Sequence, residues 1–156
     1  MGDLTLLRIS ALGPAALARV RELEAAARAL PASVKAAIHT WHTLHAGLYA
    51  RTIRIPAGVM ITGVLIRIPT LLVIDGDALV DVGAAEPLRL SGYQVLPASA
   101  GRKQVIVALT DVHMTMLFAT AARTVEEAER EFTDEADILL SRQDPRLNTT
   151  AITEEP

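Results

Sequence analysis

Three histidines fall close together, at His39, His42 and His45. A divalent transition metal needs imidazole, carboxylate or thiolate donors that converge on one point. Spacings of three and three do not converge. On a helix the outer pair diverge by roughly 120°, and on a strand His42 faces away from the other two. Zinc on one helix face prefers i and i+4. These histidines are therefore read as polar or half-buried positions on a β-edge or loop, with His45 a pH-sensitive candidate. His113 stands alone in a strand, as a core or edge residue. For nucleophilic catalysis Ser91 and Ser99 are present, but no nucleophile-elbow pattern frames them. A paired-carboxylate site would draw on Asp75, Asp77, Asp81 and Glu86, which sit at hairpin ends where Asp-Gly-Asp serves the turn. No phosphate-cradling glycine loop precedes a helix. Arg102-Lys103 with Arg67 is an anion-site candidate, with solvated charge as the simpler reading. The chain has no cysteine, hence no disulfide framework and no thiolate site. No catalytic, cofactor-binding or metal-ligating residue is expected.

The elements that would position such groups are short. Residues 1–12 suggest a strand or apolar arm. Gly13-Pro14 opens a helix over Ala15 to Leu30, ended by Pro31. Its apolar stripe, Leu17, Val20, Ala27 and Leu30, packs on its own domain or against another subunit. From Gly47 the period becomes that of a strand, with Tyr49, Arg51, Ile53 and Ile55 alternating against their neighbours. Short runs follow at Val59–Ile66, Leu71–Ile74, Ala78–Val82, Pro87–Leu90, Tyr93–Leu96, Lys103–Ala108 and His113–Phe118. Each is bounded by Gly, Pro, Asp or Ser, and no helix intervenes, which predicts an antiparallel sandwich or barrel. Thr124-Val-Glu-Glu127 is a capping box for a helix ending near Asp134. Residues 141–156 read as an extended or disordered tail. The predicted division is an arm and helix over 1–35, a barrel over 36–122, a packed helix over 123–140 and the tail.

The totals narrow the partners. A chain of 156 residues fits one domain, and a formal charge of −3 argues against general nucleic-acid binding. Apolar residues reach 51% with only 3% aromatics, and mean hydropathy is +0.32. Either an alanine-rich composition or apolar surface buried between subunits accounts for that excess. No signal peptide is expected from the acidic start. Val59 to Ile74 is too short for a membrane span and is interrupted by Gly63, Arg67 and Pro69.

The stretch from Ile55 to Asp77 resembles the first motif of a cupin barrel without its ligands. That motif runs Gly, five residues, His, one residue, His, three or four residues, Glu, six residues, Gly. Here Gly58 is followed by Val64, Ile66, then Pro69 or Thr70 in the acidic slot, and Gly76. Pro56 and Gly58 open the stretch as a turn. Gly92 and Pro97, read as turn residues like Gly76, match a second motif loosely, and its ligand slot falls near Leu109. More narrowly, the chain resembles small cupin-like proteins encoded by phages and prophages. Gly47-Leu48-Tyr49-Ala50-Arg51, Ile55-Pro56-Ala57-Gly58, Ile74-Asp75-Gly76-Asp77 and Gly101-Arg102-Lys103 carry that resemblance, followed by the acidic helix Thr124–Phe132.

The resemblance implies a mainly β fold, a cupin-like jelly-roll barrel with an N-terminal helix and a short C-terminal helix. The ligand positions Val64, Ile66, Thr70 and Leu109 are degenerate, so no cofactor is expected. Val64, Ile66 and Leu109 are expected to fill the barrel interior. The leading expectation is a non-enzymatic phage structural or assembly protein, a virion component. Its partners would be itself, as a homo-oligomer, and other phage structural proteins, with no nucleic acid and no membrane. The alternatives are a small-molecule-binding or metal-dependent cupin enzyme with a relocated site, and a free prophage accessory protein.

Overall fold

Alternate side chains along Leu48–Ile55 turn inward, so that Tyr49, Arg51, Ile53 and Ile55 are buried while their neighbours face out. The chain forms ten strands in the computed structural model, which describes residues 7–153. In chain order they are β1 (His39–His45), β2 (Leu48–Ile55), β3 (Met60–Thr62), β4 (Thr70–Asp75), β5 (Ala78–Val80), β6 (Leu88–Leu90), β7 (Tyr93–Ala98), β8 (Val105–Ala108), β9 (Val112–Ala119) and β10 (Asn148–Ile152). Three helices accompany them: α1 (Pro14–Arg28), α2 (Val125–Phe132) and α3 (Leu140–Gln143).

The strands form two sheets. One runs β10-β1-β2-β9-β4-β7 and the other β3-β8-β5-β6. Taking β2 to β9 as eight successive strands, the first, eighth, third and sixth share one sheet, and the second, seventh, fourth and fifth share the other. That order is a jelly roll. One hydrophobic core fills the space between the sheets, built from residues such as Ile55, Leu72, Ile74, Val80, Leu90, Ile106 and Val112.

Turn chemistry sets the registers. Ala46 and Gly47 both have positive φ, at 53° and 70°, the two-residue hairpin geometry that matches strand twist. Gly76 has a stronger requirement. At φ 127° a Cβ there would lie 2.5 Å from the Asp111 carbonyl oxygen, so only glycine lets β4 turn into β5 against the strand beside it.

The predicted strand at Val59–Ile66 is shorter than expected. After Thr62 its backbone leaves the ladder: Gly63 N–H donates to the Gln104 carbonyl and Leu65 N–H to the Glu135 carboxylate. Pro97, expected in a turn, lies inside β7, at the sheet's edge, where a missing N–H costs no ladder bond. The segment read as a tail also folds. Asn148–Ile152 pairs in parallel with β1, from Thr40↔Asn148 to Leu44↔Ile152, and Thr153 N–H donates to the Leu44 carbonyl. Its polar composition reflects an edge strand exposed on both faces, not disorder. Residues 1–6 of the predicted arm and 154–156 of the tail lie outside the described residues. Ile9 bridges Ala98, at the end of β7.

Two polar clusters lock the ends of the chain onto the barrel. Lys103 is 0% exposed and pairs with Glu24 of α1 at 2.7 Å and with Glu135 at 3.0 Å. Glu135 also accepts from Arg21 at 2.7 Å and from Leu65 N–H at 2.9 Å. Val20 is buried in this packing and Leu17 and Ala27 are half-buried, so of the four residues proposed for subunit contacts only Leu30 remains fully exposed. In the second cluster His42 is buried, Tyr49 Oη lies 2.7 Å from its Nδ1, and its Nε2 is 3.1 Å from Asn148 Oδ1. Asn148 Nδ2 in turn donates to the Ser141 carbonyl. The consistent assignment has Tyr49 donating to His42 Nδ1 and His42 Nε2–H donating to Asn148.

Burial alone would raise the Glu135 carboxyl, but the Leu65 N–H, Arg21 and Lys103 outweigh it and bring its pKa down to about 2. Its stabilising contribution is thus fully present above the ordinary glutamate range and is lost as pH falls from about 4.5 through about 2. Urea midpoints from pH 7 to 2.5 should fall over that window, and Glu135→Gln should flatten the fall. Lys103→Met leaves the Glu24 carboxylate without its cation and removes one of two from Glu135, and should cost about 3–5 kcal/mol at pH 7.

His42 behaves with the same sign. Burial, aided by the Arg51 cation, lowers its pKa despite the Asn148 bond. The neutral ring holds β10 above the ordinary histidine range, and that hold weakens as pH drops below it. Hydrogen-exchange protection of Asn148–Ile152, corrected for intrinsic rates, should decline from pH 7.5 to 5.5 in the wild type and lose this dependence in His42→Phe.

Candidate functional site

A cavity of about 90 Å³ lies inside the barrel, room for about three waters. Its walls are mostly apolar: Ile53 of β2, Ile61 of β3, Leu72 of β4, Ile106 of β8 and Met114 and Met116 of β9. Phe132 at the end of α2 and Ile138, Leu139 and Leu140 after it also line it. Ile138, Leu139 and Leu140 therefore pack against one side of this cavity. Phe132 is held by a stacked contact with Tyr49 and an edge contact with Phe118.

The four ligand-slot residues separate in space. Val64 and Ile66 are buried and line the cavity. Thr70 is buried at the start of β4, where its hydroxyl accepts from Arg102 Nη2 at 2.6 Å. Leu109, expected inside, is 40% exposed. It follows the last residue of β8, where the chain turns toward β9 and Leu109 N–H bonds to the Asp77 carbonyl. An alkyl group at Val64 or Ile66 has no lone pair to offer a metal, and one hydroxyl cannot replace three ligands. Among the described residues no group of three or more His, Cys, Asp or Glu is placed to hold a metal ion.

The histidines separate as well. His42 points inward, while His39 and His45 face out and bond to Thr149 and Thr153 of the β10 segment. With β10 outside it, β1 is not an edge. His113 is exposed, tilted against Trp41. Asp77 and Asp81 serve turns: Asp77 accepts from Gly92 N–H and Asp81 from Gly83 N–H.

The reading of Arg102 and Lys103 as solvated charge is overturned. Arg102 is 1% exposed. Its Nη1 donates to the Ser99 carbonyl at 2.9 Å and reaches the Ile68 carbonyl at 3.5 Å. It forms no ion pair among the described residues. Burial pulls its pKa down to about 10, which leaves it a cation at neutral pH. Arg67 lies apart on the surface, paired with Asp134. Arg51, which sequence reading placed only as an alternating strand residue, reaches the cavity and sits 3.6 Å from the buried Glu129 carboxylate. Gln104, not singled out from the sequence, lines it too.

No protein-family model and no curated protein matches the chain. Solved structures overlap it in part. KdgF from Halomonas sp. is 23% identical, over 57% of this chain and 84% of that one, with a TM-score of 0.45. A cupin superfamily protein from Desulfitobacterium hafniense is 14% identical, over 58% and 89%, with a TM-score of 0.43. The Cnp3 cupin domain of Schizosaccharomyces pombe is 14% identical, over 70% and 80%, also at 0.43. These neighbours are cupin-superfamily proteins, and the jelly-roll assignment itself rests on the strand order.

A second feature lies on the outer face of the six-stranded sheet. Its register builds two uncharged rows across all six strands, about 24 Å wide. One is Thr149, Trp41, Thr52, Thr115, Val73, Val95, and the other Ala151, Thr43, Ala50, Leu117, Leu71, Pro97. Charge gathers in the next row, where Arg54, His113 and Asp75 lie side by side and Tyr93 ends it, 70% exposed.

Phe132 is the aromatic wall of the cavity and joins α2 to β2 and β9. Phe132→Ala should cost about 3–5 kcal/mol in urea unfolding, well above the effect of Leu30→Ala at an exposed position just past α1.

Proposed function

We propose that the chain is a non-enzymatic, phage-encoded structural or assembly protein. It acts as a virion component through contacts of its metal-free barrel with copies of itself and with other phage structural proteins. The observation that carries this reading is the outer face of the six-stranded sheet. Two uncharged rows span it, and Leu71, Val95 and Tyr93 stand exposed near one edge. A contiguous face of this kind favours association, and two copies can bury it against each other without stranding a charge. Trp41 lies within the uncharged rows and is a residue type that anchors interfaces. The alkyl and hydroxyl side chains in the ligand slots support the non-enzymatic part, and the motif resemblance supports the phage origin.

Light scattering on size-separated protein tests the contacts. The wild type should form a defined oligomer at tens of micromolar, and Leu71→Glu with Val95→Glu should give a folded monomer. A monomeric wild type would remove the sheet face from the reading. Mass spectrometry of purified particles should detect the chain; its absence there would leave a free accessory protein. Stoichiometric iron, zinc, manganese or nickel in the purified protein would count against the metal-free reading.

A further inference from the structure

The barrel interior is not inert packing. Three cavity-lining side chains each carry a nitrogen with no hydrogen-bond partner among the described residues: Arg51 Nη1, Arg102 Nε and Gln104 Nε2. All three residues are at least nine-tenths buried. Buried donors without acceptors are costly, and cationic ones more so. Three on one small cavity make a consistent request, because every unpartnered atom is a donor.

The charges point the same way. Arg51 Nη1 is beyond hydrogen-bond reach of Glu129 but its charge is answered there, 3.6 Å from Oε2, while Arg142 donates to Oε1 of the same carboxylate at 3.0 Å. Arg102 has no carboxylate partner among the described residues, and its remaining bonds go to neutral oxygens. One cation without a carboxylate partner, on a mostly apolar wall, fits one negative charge on an apolar body. Arg102 also bonds to Thr70, the residue in the acidic slot of the motif. A guanidinium thus occupies the neighbourhood where the motif would set a carboxylate.

We propose that the cavity binds a small aliphatic monocarboxylate, its carboxylate accepting from Arg51, Arg102 and Gln104 and its alkyl part lying against Ile53, Ile61 and Val64. This inference goes beyond the assembly reading and is independent of it, since the outer sheet face takes no part. The carboxylate requires two acceptor oxygens and one charge, which the two guanidiniums and the amide match. Inorganic phosphate carries more charge and no apolar part, and suits these walls poorly.

Calorimetric titration of the wild-type protein with butyrate, butyramide and inorganic phosphate tests this. Butyrate should bind saturably, with butyramide and phosphate weaker by on the order of tenfold or more. Arg102→Met should weaken butyrate by a similar factor, and Gln104→Leu by a few-fold. Because Arg102→Met also removes bonds to Ser99 and Thr70 and can compromise folding, methyl spectra of the wild type give a second readout. Butyrate should shift the Ile53, Ile61 and Val64 methyls and leave Leu71 and Val95 on the outer face unmoved. Equal binding of butyramide, tighter binding of phosphate, shifts confined to the outer face, or no butyrate binding at millimolar concentration would each overturn the proposal.

Discussion

One buried ammonium organises the periphery of this protein. Lys103 leads into β8 with no solvent contact and is met by carboxylates from α1 and from the segment after α2. Desolvating a lysine costs several kcal/mol unless its charge is answered at close range, so the barrel tolerates Lys103 only when both ends of the chain are docked. The helix at 14–28 and the segment around Glu135 are therefore integral to the domain, not appendages on it. Glu135 extends the same logic to the backbone, since its carboxylate takes the Leu65 N–H that the shortened strand β3 leaves without a ladder partner.

The parts of the fold legible in the sequence were those that local chemistry decides. Period-two alternation located β2, Gly58 and Gly76 marked reversals where φ is positive, and Thr124 with Glu127 framed α2. What escaped depended on partners distant in sequence. Arg102 and Lys103 look solvated because two adjacent cations usually are. Only the fold shows that two carboxylates meet Lys103 and that two carbonyls and a hydroxyl meet Arg102. The polar stretch from Asn148 reads as a tail for the same reason: an edge strand with both faces wet has no hydrophobic signature, and its stability comes from β1 and from His42. Leu109 failed differently. Motif spacing counted it into the interior, but the turn after β8 carries it outside.

The site shows a similar split. Motif spacing was enough to place Val64 and Ile66, which lie on the cavity wall. It was not enough to see Arg51 and Gln104 as cavity residues. Arg51 hides in the strand alternation as an inward-facing charge, a position where a β-barrel ordinarily places an alkyl group. An inward arginine is the one local signal that was available, and its meaning depends on Glu129 arriving from α2.

The parallel pairing of β10 with β1 has a consequence for how the chain is made. β1 gains β2 at once through a two-residue turn, but its other edge waits for residues that emerge roughly 100 positions later, on the order of 5–20 s of synthesis. For that interval the edge of the nascent sheet is bare, and it is open to any strand nearby. On a ribosome-crowded message the nearest matching strand belongs to an identical chain. Pairing of β10 with β1 is therefore the last strand contact of this sheet that synthesis makes possible.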